Sequence, residues 1–129
     1  FLPLHPAKYA EMLKDRVLAT GANVYLVNTG WNGKGERMKL RYTRAMVTAA
    51  LNGTIENAEF VEDPSFGLAI PTSIEGCPDE VLIPKNSWND EAAYEESARK
   101  LAHMLNENFQ KKYADHMSAE VAAAGPLLA

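Results

Sequence analysis

The sequence predicts a single mixed α/β unit with a small sheet, and three observations carry that expectation. An amphipathic helical stretch after Pro6 runs directly into the apolar segment "NVYLVN" at residues 23 to 28. A glycine-rich loop then leads into an alternating run at residues 37 to 42 and a second helical stretch. Finally, residues 90 to 113 keep a helical period over six turns' length, which is the longest regular pattern in the chain.

Taken in order, Pro6 suits a first helical turn, and Tyr9, Met12, Leu13, Arg16 and Val17 recur at spacings of three and four until Gly21 offers a stop. Residues 23 to 28 are short, β-branched and aromatic, and read as a buried strand. Residues 37 to 42 place Arg37, Lys39 and Arg41 on one face and Met38, Leu40 and Tyr42 on the other, as a half-buried strand would. Thr43 is placed to cap the helix that follows, whose apolar positions are Met46, Val47, Ala50 and Leu51 and whose end falls at Gly53. Residues 54 to 88 are interrupted by Pro64, Pro71, Gly76, Pro78 and Pro84, with "FGLAIP" and "EVLIP" as the extended segments. The long helix takes Asn89 or Asp90 as its cap and Tyr94, Ala98, Leu101, Leu105 and Phe109 as its apolar stripe, with Glu95–Arg99 and Glu96–Lys100 pairs facing water. The alanine-rich end predicts a short helical turn and a tail.

Length and charge limit the function. A chain of 129 residues with 47% hydrophobic content is the size of one domain. A formal charge of -4 argues against a general nucleic-acid binder, which must displace cations from phosphates. The charge is uneven: Lys34, Arg37, Lys39, Arg41 and Arg44 against Glu36 carry +4, leaving -8 elsewhere. An anion site would therefore be local, although a solvated basic face explains the same run. Cys77 is alone, which excludes an intrachain disulfide and suits a reducing compartment. His5, His103 and His116 lack metal-ligand spacing and read as surface or packing residues. No apolar run approaches the ~20 residues that span a bilayer, so no membrane association is expected. Phe1 and the apolar-proline opening "FLPLHP" suggest a chain cut from a longer one.

The glycines of "NTGWNGKGERMKLRYTR" invite comparison with phosphate-binding loops, and both familiar patterns fail. Gly30 and Gly35 have the Walker spacing, but Glu36 and Arg37 stand where Lys and Ser or Thr are needed. A carboxylate there repels phosphate. The dinucleotide fingerprint fails at Met38, where a glycine or alanine should open a helix. What remains is a hairpin-like connection that delivers Arg37 and its neighbours to an anion or an aromatic ring.

Together "FLPLHP", "YLVNTGWNGKGERMKLRYTRA", "ALNGTIENAEF", "LAIPTSIEG" and "AAAGPLLA" resemble the carboxyl-terminal end of the ATP-dependent phosphoenolpyruvate carboxykinases, in order and over essentially the whole chain. The resemblance implies that residues 1 to 129 are a carboxyl-terminal fragment of that family's nucleotide-binding domain. The parent would be a cytoplasmic, gluconeogenic lyase that converts oxaloacetate and ATP to phosphoenolpyruvate, ADP and carbon dioxide with a divalent metal such as magnesium or manganese. It also implies that Arg37, Met38 and Thr43 contact the adenosine part of ATP, while the phosphate loop, the metal ligands and the arginines that hold oxaloacetate have no counterpart in these residues. A fragment of this kind is expected to be inactive alone and to self-associate through a former interface. Two other readings stay open: an independent small nucleotide-binding domain, and an interaction module whose basic segment meets an acidic protein in a salt-dependent way.

Overall fold

The computed structural model describes residues 3–127, and its elements follow from local signals where those are strong. Helix α1 spans Pro6–Thr20, with proline at its first position and Gly21 at φ 64° closing it. His5 caps it by accepting the Ala7 amide on Nδ1 at 3.2 Å. Helix α2 spans Leu40–Leu51 and is followed by Asn52 and by Gly53 at φ 76°. After a 3-10 turn at Thr54–Asn57, strands β1 (Phe60–Glu62) and β2 (Ala69–Pro71) form an antiparallel ribbon in which Val61 faces Ile70. A one-turn helix α3 (Asp79–Leu82) and a 3-10 turn at Pro84–Ser87 lead into the long helix α4, Glu91–Lys112. Asp90 caps α4, its Oδ1 accepting from Ala92 at 2.9 Å and Ala93 at 3.3 Å. A 3-10 turn at Ala114–His116 and the short helix α5, Ala119–Ala123, complete the chain, and the tail docks where the Leu127 amide donates to the Ser65 carbonyl.

The α/β class, the first helix, the long helix and the "FGLAIP" strand are as the sequence predicts. Several details differ. Residues 23 to 28 belong to no strand, and Val24 and Leu26 are 63% and 83% exposed. A strand needs a hydrogen-bonding neighbour, and among the described residues none lies beside this segment. The run at 37 to 42 is not a strand either: α2 begins at Leu40 with Lys39 as its N-cap, so Thr43 lies inside the helix and does not cap it. "EVLIP" is largely helical, with only Ile83 extended.

The core explains the helix start. Tyr42 and Ala49 are buried with Ile55, Ile74 and Cys77, and Met38, Ala45 and Met46 pack against them. Positions 42, 45, 46 and 49 lie on one helical face, so the chain must be helical from Leu40 onward to bring Tyr42 inward. The expected stripe is displaced accordingly, with Val47 and Leu51 exposed. On α4 the buried positions are Tyr94, Ala98 and Ala102, whereas Leu101 and Leu105 face outward. Glu95 turns to Lys85 at 3.5 Å, and Glu91 pairs with the same lysine. Neither Glu95–Arg99 nor Glu96–Lys100 forms an ion pair among the described residues.

Much apolar surface stays uncovered. A compact monomer of 14.2 kDa exposes roughly 6,800 Å², whereas this chain exposes 9718 Å². The exposed large apolar side chains include Met12, Leu13 and Leu18 of α1, Val24 and Leu26, Leu40, Val47 and Leu51 of α2, and Leu101, Met104 and Leu105 of α4. Leu4 of "FLPLHP" and Leu68 of "FGLAIP" are also about half accessible, at 52% and 48%; Phe1 and Leu2 lie outside the described residues.

Candidate functional site

The glycine loop is a tight hairpin, and its register is set by backbone bonds. Asn32 donates its amide to the Glu36 carbonyl at 2.9 Å, and Met38 donates to the Gly30 carbonyl at 2.8 Å. Trp31 and Arg37 lie between those bonds as an isolated antiparallel bridge. They are therefore a non-hydrogen-bonded cross-strand pair, the kind whose side chains approach most closely. The Arg37 guanidinium lies 5.9 Å from the centroid of the Trp31 indole, within reach of a cation–π attraction.

Side chains lock the tip. Asn32 Oδ1 accepts from the amides of Lys34 at 3.0 Å and Glu36 at 2.9 Å, and Gly35 takes the positive φ of 73° that the turn requires. Asn28 braces the entry, accepting from the Gly30 amide and donating to the Trp31 carbonyl. Gly33 rests on the Pro84–Ser87 turn: its amide donates to Ser87 Oγ at 3.0 Å, and the Trp88 indole lies so close that a β-carbon on Gly33 would be 2.1 Å from Trp88 Cδ1. Trp88 in turn meets Tyr94 of α4 edge to face at 5.8 Å. The Tyr94 hydroxyl donates to the buried Asp63 at 3.4 Å, and Asp63 also accepts the amides of Ser65 and Phe66. A continuous strut thus runs from α4 to the hairpin. Burial, reinforced by the Asp63 carboxylate, holds the Tyr94 phenol above its ordinary value of 10.0.

The three expected contact residues fall on this hairpin and the first turns of α2. Arg37 is exposed on the hairpin. Met38 is half-buried, with its side chain against the core. Thr43 is half-buried, its amide on the Lys39 carbonyl at 3.3 Å. The other basic residues do not share a strand face with Arg37. Lys39 and Arg41 gather on Tyr42, at 5.9 Å and 4.8 Å from its ring, and Arg41 donates to the Tyr42 hydroxyl. Among the described residues no carboxylate forms an ion pair with Lys34, Arg37, Lys39, Arg41 or Arg44. Glu36 is turned back onto Asn32. The result is an unneutralised cationic patch with one guanidinium set apart on an aromatic ring, suited to a planar anionic ligand.

Trp31 is the member that residue spacing missed. The Asn-Gly pair at 32 and 33, flanked by Trp31 and by Arg37, is the available signal, because Asn-Gly is a strong hairpin marker. Two shallow hollows lie elsewhere: one of about 220 Å³ includes Thr54, Ile55 and Ile74, and one of about 370 Å³ lies along α1 at Met12 and Arg16. Neither includes Arg37, Met38 or Thr43. His5 and His116 pack ring to ring at 4.4 Å, a structural contact at the helix cap.

Fold and site define a helix-rich α/β segment that presents a rigid basic hairpin on an incompletely covered core. The family model described as phosphoenolpyruvate carboxykinase matches residues 1–80. The chain is 51% identical over 99% of its length to "Phosphoenolpyruvate carboxykinase (ATP) 2" of Moorella thermoacetica, and 51% identical over 98% to "Phosphoenolpyruvate carboxykinase (ATP)" of Brevibacillus brevis. The Thermus thermophilus protein of the same name is 48% identical over 98% of the chain. This chain belongs to the ATP-dependent phosphoenolpyruvate carboxykinase family. It spans about a quarter of the length of these relatives, 25% of the first and 24% of the others.

Proposed function

We propose that the chain is the carboxyl-terminal part of the nucleotide-binding lobe of an ATP-dependent phosphoenolpyruvate carboxykinase, and that Arg37, Met38 and Thr43 contact the adenosine of ATP. The whole enzyme would convert oxaloacetate and ATP to phosphoenolpyruvate, ADP and carbon dioxide. The observation that carries the reading is the 51% identity over 99% of the chain, and the hairpin adds a physical reason. A guanidinium that forms no ion pair with a carboxylate among the described residues and lies 5.9 Å from an indole centroid can lie on a purine and donate from its edge. Thr43 offers a hydroxyl that donates or accepts, and Met38 offers backbone atoms at the base of the hairpin.

The phosphate and metal chemistry would belong to the remainder of the enzyme. Among the described residues no group of three His, Cys, Asp or Glu side chains is placed to hold a metal ion, so the residues present do not fit the divalent cation of the reaction. Phosphoryl transfer depends on positioning and on charge neutralisation by metal and cationic groups, so the isolated chain should not turn over oxaloacetate and ATP. Its uncovered apolar faces around Leu13, Leu26 and Leu51 would be buried against the rest of the enzyme, and in isolation they would draw copies of the chain together.

Calorimetric titration of ATP into the full-length enzyme at fixed salt tests the site. Arg37→Ala should lose roughly 1 to 3 kcal/mol of binding, and Arg37→Lys should recover part of it. Lys39→Ala and Arg41→Ala should change little. Equal losses for all three cations would indicate diffuse charge, and no loss at Arg37 would remove it from the site.

A further inference from the structure

We infer that Trp31 is a positioning residue for nucleotide selection: its indole fixes the plane and direction of the Arg37 guanidinium across the hairpin. The inference rests on the adenosine reading of Arg37. Three independent features of the hairpin support it. The pair occupies the non-hydrogen-bonded bridge between the Asn32–Glu36 and Met38–Gly30 backbone bonds, where the two side chains must rise from the same face. The guanidinium lies 5.9 Å from the indole centroid, and no carboxylate among the described residues competes for it. Trp31 itself remains 64% exposed in this chain, so it contributes little to the core of this segment.

An arginine side chain is long and loses rotamer freedom when it binds. An aromatic platform directly opposite removes part of that freedom before ligand arrives, so affinity rises without a further ligand contact. The edge of a guanidinium held in one plane also discriminates hydrogen-bond patterns, which a freely rotating one does not. The rest of the hairpin is rigid for the same purpose, since Asn32 closes its tip and Gly33 is pressed on Trp88. Trp31 therefore acts through Arg37 and sets the discrimination between adenine and guanine nucleotides.

The test is steady-state kinetics of the full-length enzyme with ATP and with GTP, for Trp31→Ala, Trp31→Phe, Arg37→Ala and the Trp31→Ala/Arg37→Ala double variant. Trp31→Ala should raise KM for ATP about two- to fivefold, as the loss of an exposed cation–π pair implies, with kcat little changed. It should also narrow the ATP-to-GTP preference. Trp31→Phe should restore most of both, and the double variant should be no worse than Arg37→Ala alone. If Arg37→Ala impairs ATP use while Trp31→Ala does not, the positioning role is wrong and the adenosine site stands. Additive losses in the double variant would likewise overturn it, because Trp31 would then act independently of Arg37. If Arg37→Ala changes nothing, both the site and the inference fail. Unchanged far-UV circular dichroism of Trp31→Ala accompanies the expected result; a variant that unfolds while Trp31→Phe remains fully active and selective would assign Trp31 to structure and overturn the proposal.

Discussion

Gly33→Ala probes the contact that anchors the hairpin. A β-carbon on Gly33 would stand 2.1 Å from Trp88 Cδ1, 2.3 Å from Nε1 and 2.7 Å from Cγ, all far inside van der Waals contact. The indole is rigid and already packs edge to face on Tyr94 at 5.8 Å, so it cannot swing away as freely as the tip of a flexible chain could. Either Trp88 leaves Tyr94 or the hairpin lifts from the Pro84–Ser87 turn and loses the Gly33–Ser87 hydrogen bond at 3.0 Å. Overpacking of this kind costs about 1 to 3 kcal/mol, and the hydrogen bond, if lost, about 1 kcal/mol more. The assay is urea unfolding of the 129-residue chain followed by circular dichroism at 222 nm, with Gly33→Ala, Trp88→Ala and the double variant. Gly33→Ala should be destabilising in the native background and nearly neutral once Trp88 is alanine. An equal cost in both backgrounds would refute the steric explanation. Gly35→Ala is the control, because nothing lies within 4 Å of its β-carbon and only the φ of 73° opposes the change; its cost, about 1 to 2 kcal/mol from backbone strain, should not depend on Trp88.

Asp90→Ala should destabilise α4 by about 1 kcal/mol, read as loss of helical signal and a lower urea midpoint, because two α4 amides lose their acceptor. Stability should also fall at alkaline pH. Burial raises the Tyr94 phenol above 10.0 and the Cys77 thiol above 9.0, so the unfolded chain releases these protons first, and stability present at lower pH is lost as pH rises past those ordinary values. Tyr94→Phe and Cys77→Ala should each flatten that decline in urea titrations between pH 8 and 11, values chosen to bracket roughly the two ordinary ranges. Leu26→Lys, at a site 83% exposed, should leave the helical signal intact and reduce self-association of the isolated chain in sedimentation velocity.

Legibility in the sequence followed the range of the interactions. Caps and stops are local, so Pro6, Gly21, Gly53 and Asp90 marked the helix boundaries correctly. Residues 23 to 28 carry a strand's composition, but pairing is supplied by a neighbour and no composition reveals whether one is present. The alternation at 37 to 42 was misleading because Arg37 pairs backward with Trp31 while Tyr42 turns inward on a helix, two demands that meet at Lys39. On α4 the expected stripe was right at Tyr94 and Ala98, which are buried, but the burial continues at Ala102 rather than at Leu101 and Leu105, which stay exposed. At the site, the motif resemblance singled out Arg37, Met38 and Thr43 as expected contacts; the Trp31–Arg37 pairing is local to the hairpin, whereas the Trp88 anchor on Gly33 depends on tertiary packing across 55 residues.

The assignment of this segment to the adenosine site is tested most directly by photolabelling. The full-length enzyme would be irradiated with 8-azido-ATP in the presence of metal, digested, and the modified peptide identified by mass spectrometry. Label on a peptide within residues 30 to 44, suppressed by excess ATP and weakened in Arg37→Ala, is the expected result. Label that ATP suppresses but that lies wholly outside this segment, with none on the hairpin or the first turns of α2, would contradict it.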